Sequence, residues 1–361
     1  MRFLHTADIH AAYRQYGSVL REQDFYAMLA QITDIAIAQK VDAVIYAGDT
    51  WDSIKPSAEA VGFVQGEVSR LAAHGIPVLG IAGNHDACED EWLSVCGIRS
   101  LHNQPWKSAD GIVITGKHFR RPAVFVQEIN EDRARVKADV YVVHQAFKEL
   151  SNFCGDNLSA EEMAPMFREM GVVYVAMGDI HQFALGEYDG VKFCYPGSPE
   201  RNSTDDTGLK SVSIVTIDPR TKAVTMETEP TKPRRLVRLV VNTVEQIDNI
   251  LKDVAGLNSD KPVVAIYYTP ELREHIQKAE GTLKASDILF RTYAVGTTED
   301  KEKVLQIAES FDRKDSAKLL AETVTAYFDL GTDENEMIQM LLEGQDMGTV
   351  VKNYIDKEPK Q

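Results

Sequence analysis

Five short segments of the sequence combine carboxylate, amide and imidazole side chains in patterns that suit metal binding. They are Asp8-Ile9-His10, Gly48-Asp49-Thr50-Trp51-Asp52, Gly83-Asn84-His85-Asp86, His144-Gln145 and Gly178-Asp179-Ile180-His181. Each segment follows a short apolar run that is typical of a β-strand. Taken singly, most of them suit a turn, a strand cap or a structural histidine equally well.

The five segments together are more informative than any one of them. Successive strand ends offer oxygen and imidazole ligands, namely Asp8, His10, Asp49, Asn84, His144, Asp179 and His181. A mixed oxygen and nitrogen site without thiolate favours Mn²⁺, with Mg²⁺, Zn²⁺ and Fe²⁺ as alternatives. Seven ligands are too many for one tetrahedral ion and suit two ions a few ångströms apart. The sequence therefore predicts a centre that holds two Mn²⁺ ions.

The spacing Asp-x-His occurs twice, at Asp8 and His10 and again at Asp179 and His181. In a strand, side chains two residues apart point to the same face, so each pair could reach one ion together. A glycine before Asp49 permits the turn that presents its carboxylate at the carboxyl edge of a sheet. We expect the ligands to converge at such an edge.

Two further features suggest substrate chemistry. His85 can serve as a ligand or as a proton donor. The turn-rich segment Tyr195-Pro196-Gly197-Ser198-Pro199-Glu200-Arg201 could contact phosphate through its amides, Ser198 and Arg201, and an ordinary hairpin turn is the alternative.

The elements that must position these residues follow from the apolar runs. Strands are predicted at Arg2–Leu4, Ala43–Tyr46, Val78–Ile81, Gly111–Thr115, Ala123–Val126, Val140–Val143, Val172–Ala176 and Val212–Ile217. Four of these runs lack polar alternation, which is typical of strands covered on both faces. Helical periodicity fits Phe25–Ala38, Ala58–Ala73 and Glu161–Glu169. This order predicts an α/β fold of stacked mixed β-sheets flanked by helices across residues 1–230.

A proline-containing segment, Glu229-Pro230-Thr231-Lys232-Pro233, reads as a linker because proline interrupts both helices and strands. Beyond it, strand, helix, strand, helix and strand are predicted at Leu236–Val241, Val244–Val254, Val263–Tyr268, Glu271–Glu280 and Ile288–Val295. These elements make a small α+β domain at 235–297. Residues 298–361 have helical periodicity and form a predicted C-terminal helical tail.

Charge and composition limit the classes of function. The 361 residues include 39 basic and 55 acidic side chains, for a net charge of −16. This charge argues against a protein that coats DNA, although it permits a nucleic-acid enzyme with a metal-loaded cleft. The absence of a long apolar run argues against a membrane span. Four cysteines without a CxxC pair, and no export signal, predict reduced thiols in a cytoplasmic protein rather than a zinc knuckle.

The five segments, in this order, resemble the metallophosphoesterase (calcineurin-like) superfamily over about residues 1–230. The opening Arg2-Phe3-Leu4-His5-Thr6-Ala7-Asp8-Ile9-His10, the Gly83–Asp86 segment and Tyr195-Pro196-Gly197-Ser198-Pro199 look closest to the SbcD-type DNA nuclease of double-strand-break repair. The acidic charge and modest length suit a phage version. One departure concerns the family pattern GHxH, in whose place this chain has Gly178-Asp179-Ile180-His181.

This resemblance implies roles for individual residues. Asp8, His10, Asp49 and His181 would hold a first ion, and Asp49, Asn84, His144 and Asp179 a second, with Asp49 bridging. His85 would assist phosphoryl transfer without binding metal, oriented by Asp86 or Asp52. Two cations at such a site polarise a phosphodiester and supply a nucleophile near neutral pH.

The resemblance also implies a Mn²⁺-dependent DNA phosphodiesterase, the exonuclease and endonuclease subunit of an SbcC–SbcD-type complex. Residues 235–297 would be a capping domain, and the tail at 298–361 would dock an SbcC-type coiled-coil ATPase. Homodimerisation would use helices near 58–73 and 89–100. Two alternatives remain open: the same fold acting on a phosphoprotein or cyclic nucleotide, and a catalytically silent binding scaffold.

Overall fold

The computed structural model describes residues 1–86, 91–151, 158–206, 208–249, 261–285 and 289–295. The chain divides into two units, Met1–Pro233 and Arg234–Gln361. Every candidate ligand lies in the first unit.

The described residues of the first unit form strands and helices that we number in chain order. The strands are β1 (Arg2–Thr6), β2 (Ala43–Ala47), β3 (Val78–Ile81), β4 (Arg99–Ser100), β5 (Trp106–Lys107), β6 (Val113–Gly116), β7 (Val140–His144), β8 (Tyr174–Gly178), β9 (Ala184–Tyr188), β10 (Val191–Tyr195), β11 (Ser211–Ile217) and β12 (Val224–Pro230). The helices are α1 (Val19–Ala38), α2 (Ala58–Ala73), α3 (Glu91–Val95), α4 (Pro122–Arg133) and α5 (Ala160–Glu169).

These strands form two mixed six-stranded sheets. The first has the order β12-β11-β1-β2-β3-β4, in which β1 to β4 are parallel and β11 and β12 are added antiparallel. The second has the order β5-β6-β7-β8-β10-β9, with a parallel centre from β6 to β10 and antiparallel edges. Because the central strands of each sheet are parallel, their carboxyl ends share an edge.

Apolar side chains from both sheets form a core between them, including Phe3, Ile45, Leu79, Val142 and Ala176. Helices α1 and α2 cover the outer face of the first sheet, and α4 and α5 cover that of the second. The order of layers is therefore helix, sheet, sheet, helix, as predicted. The four strands predicted to be covered on both faces, β2, β3, β7 and β8, are buried at every residue.

Serine caps fix where three helices begin. Ser18, Ser57 and Ser159 each accept a hydrogen bond from a backbone amide three residues further on. Such a cap satisfies an amide that has no partner inside the helix. The cap at Ser18 explains why α1 begins at Val19, six residues before the predicted start at Phe25.

The predicted strand at Ala123–Val126 is wrong, because these residues belong to α4. Pro122 occupies the start of this helix, where its fixed φ and missing amide are tolerated. Phe125 and Ile129, four residues apart, are both fully buried, which is the spacing of one helical face. A short apolar run does not by itself distinguish a buried strand from a buried helix segment.

The second unit contains a three-stranded parallel sheet in the order β13 (Leu236–Val241), β14 (Val263–Tyr268) and β15 (Leu289–Ala294). A helix at Arg273–Ala285 packs on it through Ile276 and Leu283. Residues 244–249 are also helical. The predicted helical tail at 298–361 lies outside the described residues.

Two simpler predictions concern cysteines and membranes. Cys96 and Cys194 are free and buried, while Cys88 and Cys154 lie outside the described residues. In the part of the chain that the structure describes, no helix is both long and apolar enough to cross a membrane.

Candidate metal centre

The candidate ligands meet where the carboxyl ends of three parallel strands of the first sheet lie close to those of two parallel strands of the second. Asp8 follows β1, Asp49 follows β2 and Asn84 follows β3 in the first sheet. In the second sheet, His144 ends β7 and Asp179 follows β8. Strand ends in α/β proteins are the usual place for ligand sites, and the convergence agrees with the expectation.

One group of possible ligands consists of Asp8, His10 and His181, whose ligand atoms lie within 4.8 Å of one another. His181 Nε2 is 3.9 Å from Asp8 Oδ1. Asp49 borders this group, since its Oδ2 is 3.7 Å from His10 Nε2. The group contains three of the four residues of the predicted first ligand set, which stays a prediction.

A second group consists of Asp8, Asp49 and His144, again within 4.8 Å. His144 Nε2 lies 3.4 Å from Asp49 Oδ2, 3.8 Å from Asp179 Oδ1 and 2.9 Å from Asn84 Oδ1. The other ring nitrogen, Nδ1, donates a hydrogen bond to the Ala47 carbonyl at 2.8 Å. Such a backbone bond orients the imidazole and directs Nε2 into the site.

Both Asp8 and Asp49 lie between the two groups. Asp8 is a member of each, and Asp49 Oδ2 is close to both His10 and His144. The sequence singled out Asp49 as the bridging carboxylate. The geometry gives Asp8 an equally central position, so bridging by Asp49 stays a prediction.

The prediction that strand alternation points Asp8 and His10 to the same face is wrong. Strand β1 ends at Thr6, so Asp8 and His10 lie in the loop beyond it. Four of the candidate ligands have a positive φ: Asp8 (54°), His10 (47°), Asp49 (50°) and Asp179 (99°). Non-glycine residues seldom adopt such values, and strained backbone tends to occur at functional sites. Left-handed loops, not strand alternation, therefore bring these side chains together.

Two glycines give the ligands room. A Cβ atom at Gly48, whose φ is +93°, would lie 2.6 Å from Cγ of the His144 imidazole. A Cβ atom at Gly83 would lie 2.8 Å from Cγ of Asp49. Any larger residue at these positions would displace a candidate ligand.

Asp86 supports the loops rather than orienting His85. Its buried carboxylate accepts hydrogen bonds from the amides of Gly83 (2.9 Å), Thr50 (3.2 Å) and Trp51 (3.0 Å). Both oxygens are therefore committed to backbone, which corrects the hypothesis that Asp86 orients His85. Asp52 remains for that role, since it forms a third group within 4.8 Å with His10 and His85.

The two predicted phosphate contacts, Ser198 and Arg201, are engaged within their own loop. Ser198 is fully buried, and its hydroxyl donates to the Glu200 carbonyl at 2.8 Å. Arg201 Nη1 donates to the carbonyls of Asp206 (3.0 Å) and Gly208 (3.2 Å). Ser198 has no surface to offer a substrate, because only side chains that reach solvent can meet one.

The electrostatics of the site fit a bound cation. Burial, followed by repulsion from Asp49, raises the pKa of Asp8 to about 7. Burial alone would lower the pKa of His144, but Asp49, Asp8 and Asp179 outweigh it and raise that pKa well above its ordinary value. Nε2 of buried His10 makes no hydrogen bond, and its Nδ1 lies 3.3 Å from Asp52 Oδ1. Divalent cations would offset the clustered negative charge, and the unprotonated nitrogen of a neutral imidazole could bind one.

Comparison with known proteins identifies the fold family. The calcineurin-like phosphoesterase family matches residues 1–183. The chain belongs to this family. Its clusters of aspartate and histidine are typical of phosphoesterases that hold two metal ions.

Curated relatives of this phosphoesterase include two archaeal proteins named DNA double-strand break repair protein Mre11. That of Methanosarcina mazei is 30% identical over 242 residues, covering 64% of this chain and 39% of the relative. That of Saccharolobus solfataricus is 24% identical over 385 aligned positions, covering 99% of this chain and 98% of the relative. A dimetal phosphatase from Danio rerio covers 64% of the chain and 96% of its own, at 10% identity and a TM-score of 0.44.

The phosphoesterase is thus a homologue of Mre11-type repair proteins, which confirms the resemblance drawn from the motifs. The chain spans about 39% of the length of the first of these relatives.

One residue of this phosphoesterase site escaped the sequence analysis. The buried ammonium of Lys210 donates a 2.9 Å hydrogen bond to the carbonyl of His181, a candidate ligand. The two residues are 29 positions apart, and no local motif marks Lys210. Only the tertiary structure identifies it.

Metal affinity of the phosphoesterase should rise with pH through the pKa of Asp8, near 7, and should continue to rise until His144 has also lost its proton. Asp8, with a pKa near 7, and His144, with a raised pKa, hold protons in the metal-free protein that a cation must displace. Below pH 7 we expect a loss of about tenfold in affinity per pH unit for each proton released. Calorimetric Mn²⁺ titrations from pH 5.5 to 8.5, in buffers of different ionisation enthalpy, measure the Mn²⁺ affinity and the number of protons released on binding. An affinity that does not change with pH would contradict the prediction.

Proposed function

We propose that this chain is a Mn²⁺-dependent phosphodiesterase that hydrolyses DNA, the exonuclease and endonuclease subunit of an SbcC–SbcD-type complex. The observation that carries the proposal is the pair of overlapping ligand groups, Asp8–His10–His181 and Asp8–Asp49–His144, at the facing edges of two sheets. The Mre11 relatives support DNA as the substrate. Oxygen donors predominate among the proposed ligands, which favours Mn²⁺ over softer ions.

Bound at these groups, two cations would polarise the phosphodiester and supply a nucleophile near neutral pH. The chain's own residues do the rest. The exposed imidazole of His85 can face a substrate, and its backbone amide is fixed by a 2.9 Å hydrogen bond to Asp49 Oδ1. We assign His85 to charge stabilisation or protonation of the leaving oxygen. Asp52 would orient it.

Hydrolysis assays separate the proposal from its two alternatives. Metal-depleted protein would be supplied with Mn²⁺ and offered linear DNA, bis-p-nitrophenyl phosphate, a phosphopeptide and a cyclic nucleotide. We expect cleavage of DNA and of the small diester only with Mn²⁺. Preference for the phosphopeptide or cyclic nucleotide would favour another phosphoesterase substrate, and no hydrolysis of any kind would favour a binding scaffold.

The proposed partner is an SbcC-type coiled-coil ATPase bound through residues 298–361, with a homodimer formed by helices near 58–73 and 89–100. We expect deletion of 298–361 to abolish capture of the ATPase while leaving hydrolysis of bis-p-nitrophenyl phosphate within about twofold. The reason is that every proposed ligand precedes residue 182. Co-purification and kinetics measure the two effects, and a truncated chain that still binds the ATPase would contradict this assignment.

Asp179 should set the charge at the second ion. Replacement by histidine removes a negative charge near His144 Nε2, now 3.8 Å away. A bound ion would then be a stronger Lewis acid, so we expect Asp179→His to bind metal and to shift the pH optimum downward by roughly one unit. Asp179→Asn is the matched control, since it makes the same charge change with an oxygen ligand. An Asp179→Ala variant with unchanged metal content and pH–rate profile would show that Asp179 is not a ligand.

A further inference from the structure

Lys210 is a buried cation beside the metal centre. Only 3% of its surface is exposed, and it lies directly before β11. Its ammonium pairs with Asp206 and donates to Ser198 Oγ at 3.0 Å and to the His181 carbonyl at 2.9 Å. Hydrogen bonds from a charged donor such as this ammonium are roughly twice as strong as those between neutral groups.

His181 depends on these bonds because it lies outside the sheet. Strand β8 ends at Gly178 and β9 begins at Ala184, so His181 occupies the connection between them. Its carbonyl accepts hydrogen bonds from Lys210 Nζ and from the Ser198 amide at 3.1 Å. The imidazole faces Asp8, with Nε2 at 3.9 Å from Oδ1.

We propose that Lys210 is a positioning residue of the metal centre: it fixes the backbone of His181 so that the imidazole completes the Asp8–His10–His181 group. The assignment rests on the proposed two-metal function. Residues that orient a ligand from behind it typically change metal affinity by about 10- to 100-fold when they are lost. The loss should fall on one ion only, since His144, in the other group, is held by its own bond to the Ala47 carbonyl.

A purely structural role for Lys210 is the competing explanation, and Lys117 provides the matched control. Lys117 is equally buried, at 4% exposure, and pairs with a buried aspartate, Asp132, at 3.1 Å. Its ammonium also donates to Asn103, which is not a candidate ligand. Both lysines stabilise the fold through a buried ion pair, whereas Lys210 alone of the two bonds a candidate ligand.

The test compares Lys210→Met with Lys117→Met by calorimetric Mn²⁺ titration of the metal-depleted full chain at pH 8. We expect both variants to unfold at a lower temperature. We expect Lys210→Met to bind one of two Mn²⁺ ions about 10- to 100-fold more weakly, and Lys117→Met to bind both normally. Lys210→Arg keeps a cationic donor and should lie nearer to the wild type than Lys210→Met.

If Lys210→Met does not fold, the double variant Asp206→Asn/Lys210→Met is used in its place in the same titration. The double variant lacks the carboxylate that Lys210→Met leaves unpaired. The proposal would be overturned if Lys210→Met or the double variant bound two Mn²⁺ ions with wild-type affinity. It would also be overturned if Lys117→Met lost as much Mn²⁺ affinity as Lys210→Met. The readout is independent of cleavage. A wild-type chain that binds two ions but does not cut DNA would therefore overturn the proposed function and leave the role of Lys210 intact.

Discussion

Asp49→Asn is expected to lower kcat for Mn²⁺-dependent hydrolysis by about 10³-fold or more. Asp49 Oδ2 is 3.7 Å from His10 Nε2 and 3.4 Å from His144 Nε2, so its charge faces both ligand groups. Metal ions supply several kcal/mol of charge stabilisation in such reactions, and tenfold in rate corresponds to about 1.4 kcal/mol. Asparagine retains the shape of the side chain and an acceptor for the His85 amide. The loss should therefore come from the missing charge.

The measurement is kcat at saturating Mn²⁺, read beside metal content from elemental analysis and the circular dichroism spectrum. Asp42→Asn is a matched control, because Asp42 is exposed and also accepts a backbone hydrogen bond, from Arg2 at 2.7 Å. It should be as active as the wild type. Full activity of Asp49→Asn, or of wild-type protein after EDTA treatment, would refute a metal-dependent mechanism at this site.

His85→Ala is expected to retain both ions and to lose cleavage by about 10²- to 10⁴-fold, the usual contribution of a general acid. The His85 imidazole is on the exposed side of the site, and its ring centroid is 4.9 Å from that of His10. Its backbone amide, which contacts Asp49, is unaffected by the substitution. The ligand groups should therefore keep their geometry while the proton donor is lost.

Metal content and kcat must be measured on the same preparation of His85→Ala. His74→Ala is the matched control, an exposed histidine at the end of α2 whose Nδ1 donates to the Arg70 carbonyl. It should change neither quantity. His85 and His10 also lie in one group with Asp52, so loss of an ion in His85→Ala would show instead that His85 is a ligand.

The main architecture could be predicted because its signals are local in sequence. Strands β2 and β7 are uninterrupted apolar runs, and Asp49 and His144 lie at their carboxyl ends. Parallel pairing brings the carboxyl ends within each sheet to one edge, and packing of the two sheets places the two edges together. The convergence of the candidate ligands could be inferred without knowing the loop conformations, which is why it came with an incorrect account of the backbone at Asp8 and His10.

Other features depend on contacts between distant segments, which no short pattern encodes. The Asp86 carboxylate bonds the amides of Thr50 and Trp51, more than 30 positions earlier in the chain. Ser198 reads as an exposed turn residue, yet it is buried beneath Lys210. A polar residue in a motif can support the site or face the substrate, and the sequence does not distinguish the two.

Thr231 determines where the catalytic domain can be separated from the rest of the chain. Its amide donates to the Lys210 carbonyl at 2.8 Å, and its hydroxyl donates to the Pro199 carbonyl at 2.6 Å. Lys210 itself bonds the His181 carbonyl, and Pro199 adjoins Ser198, whose amide does the same. A fragment that stops at Pro230, the end of β12 and of the predicted domain, discards these bonds, whereas one that stops at Pro233 keeps them. Fragment design for crystallisation or isotope labelling should therefore use the later boundary.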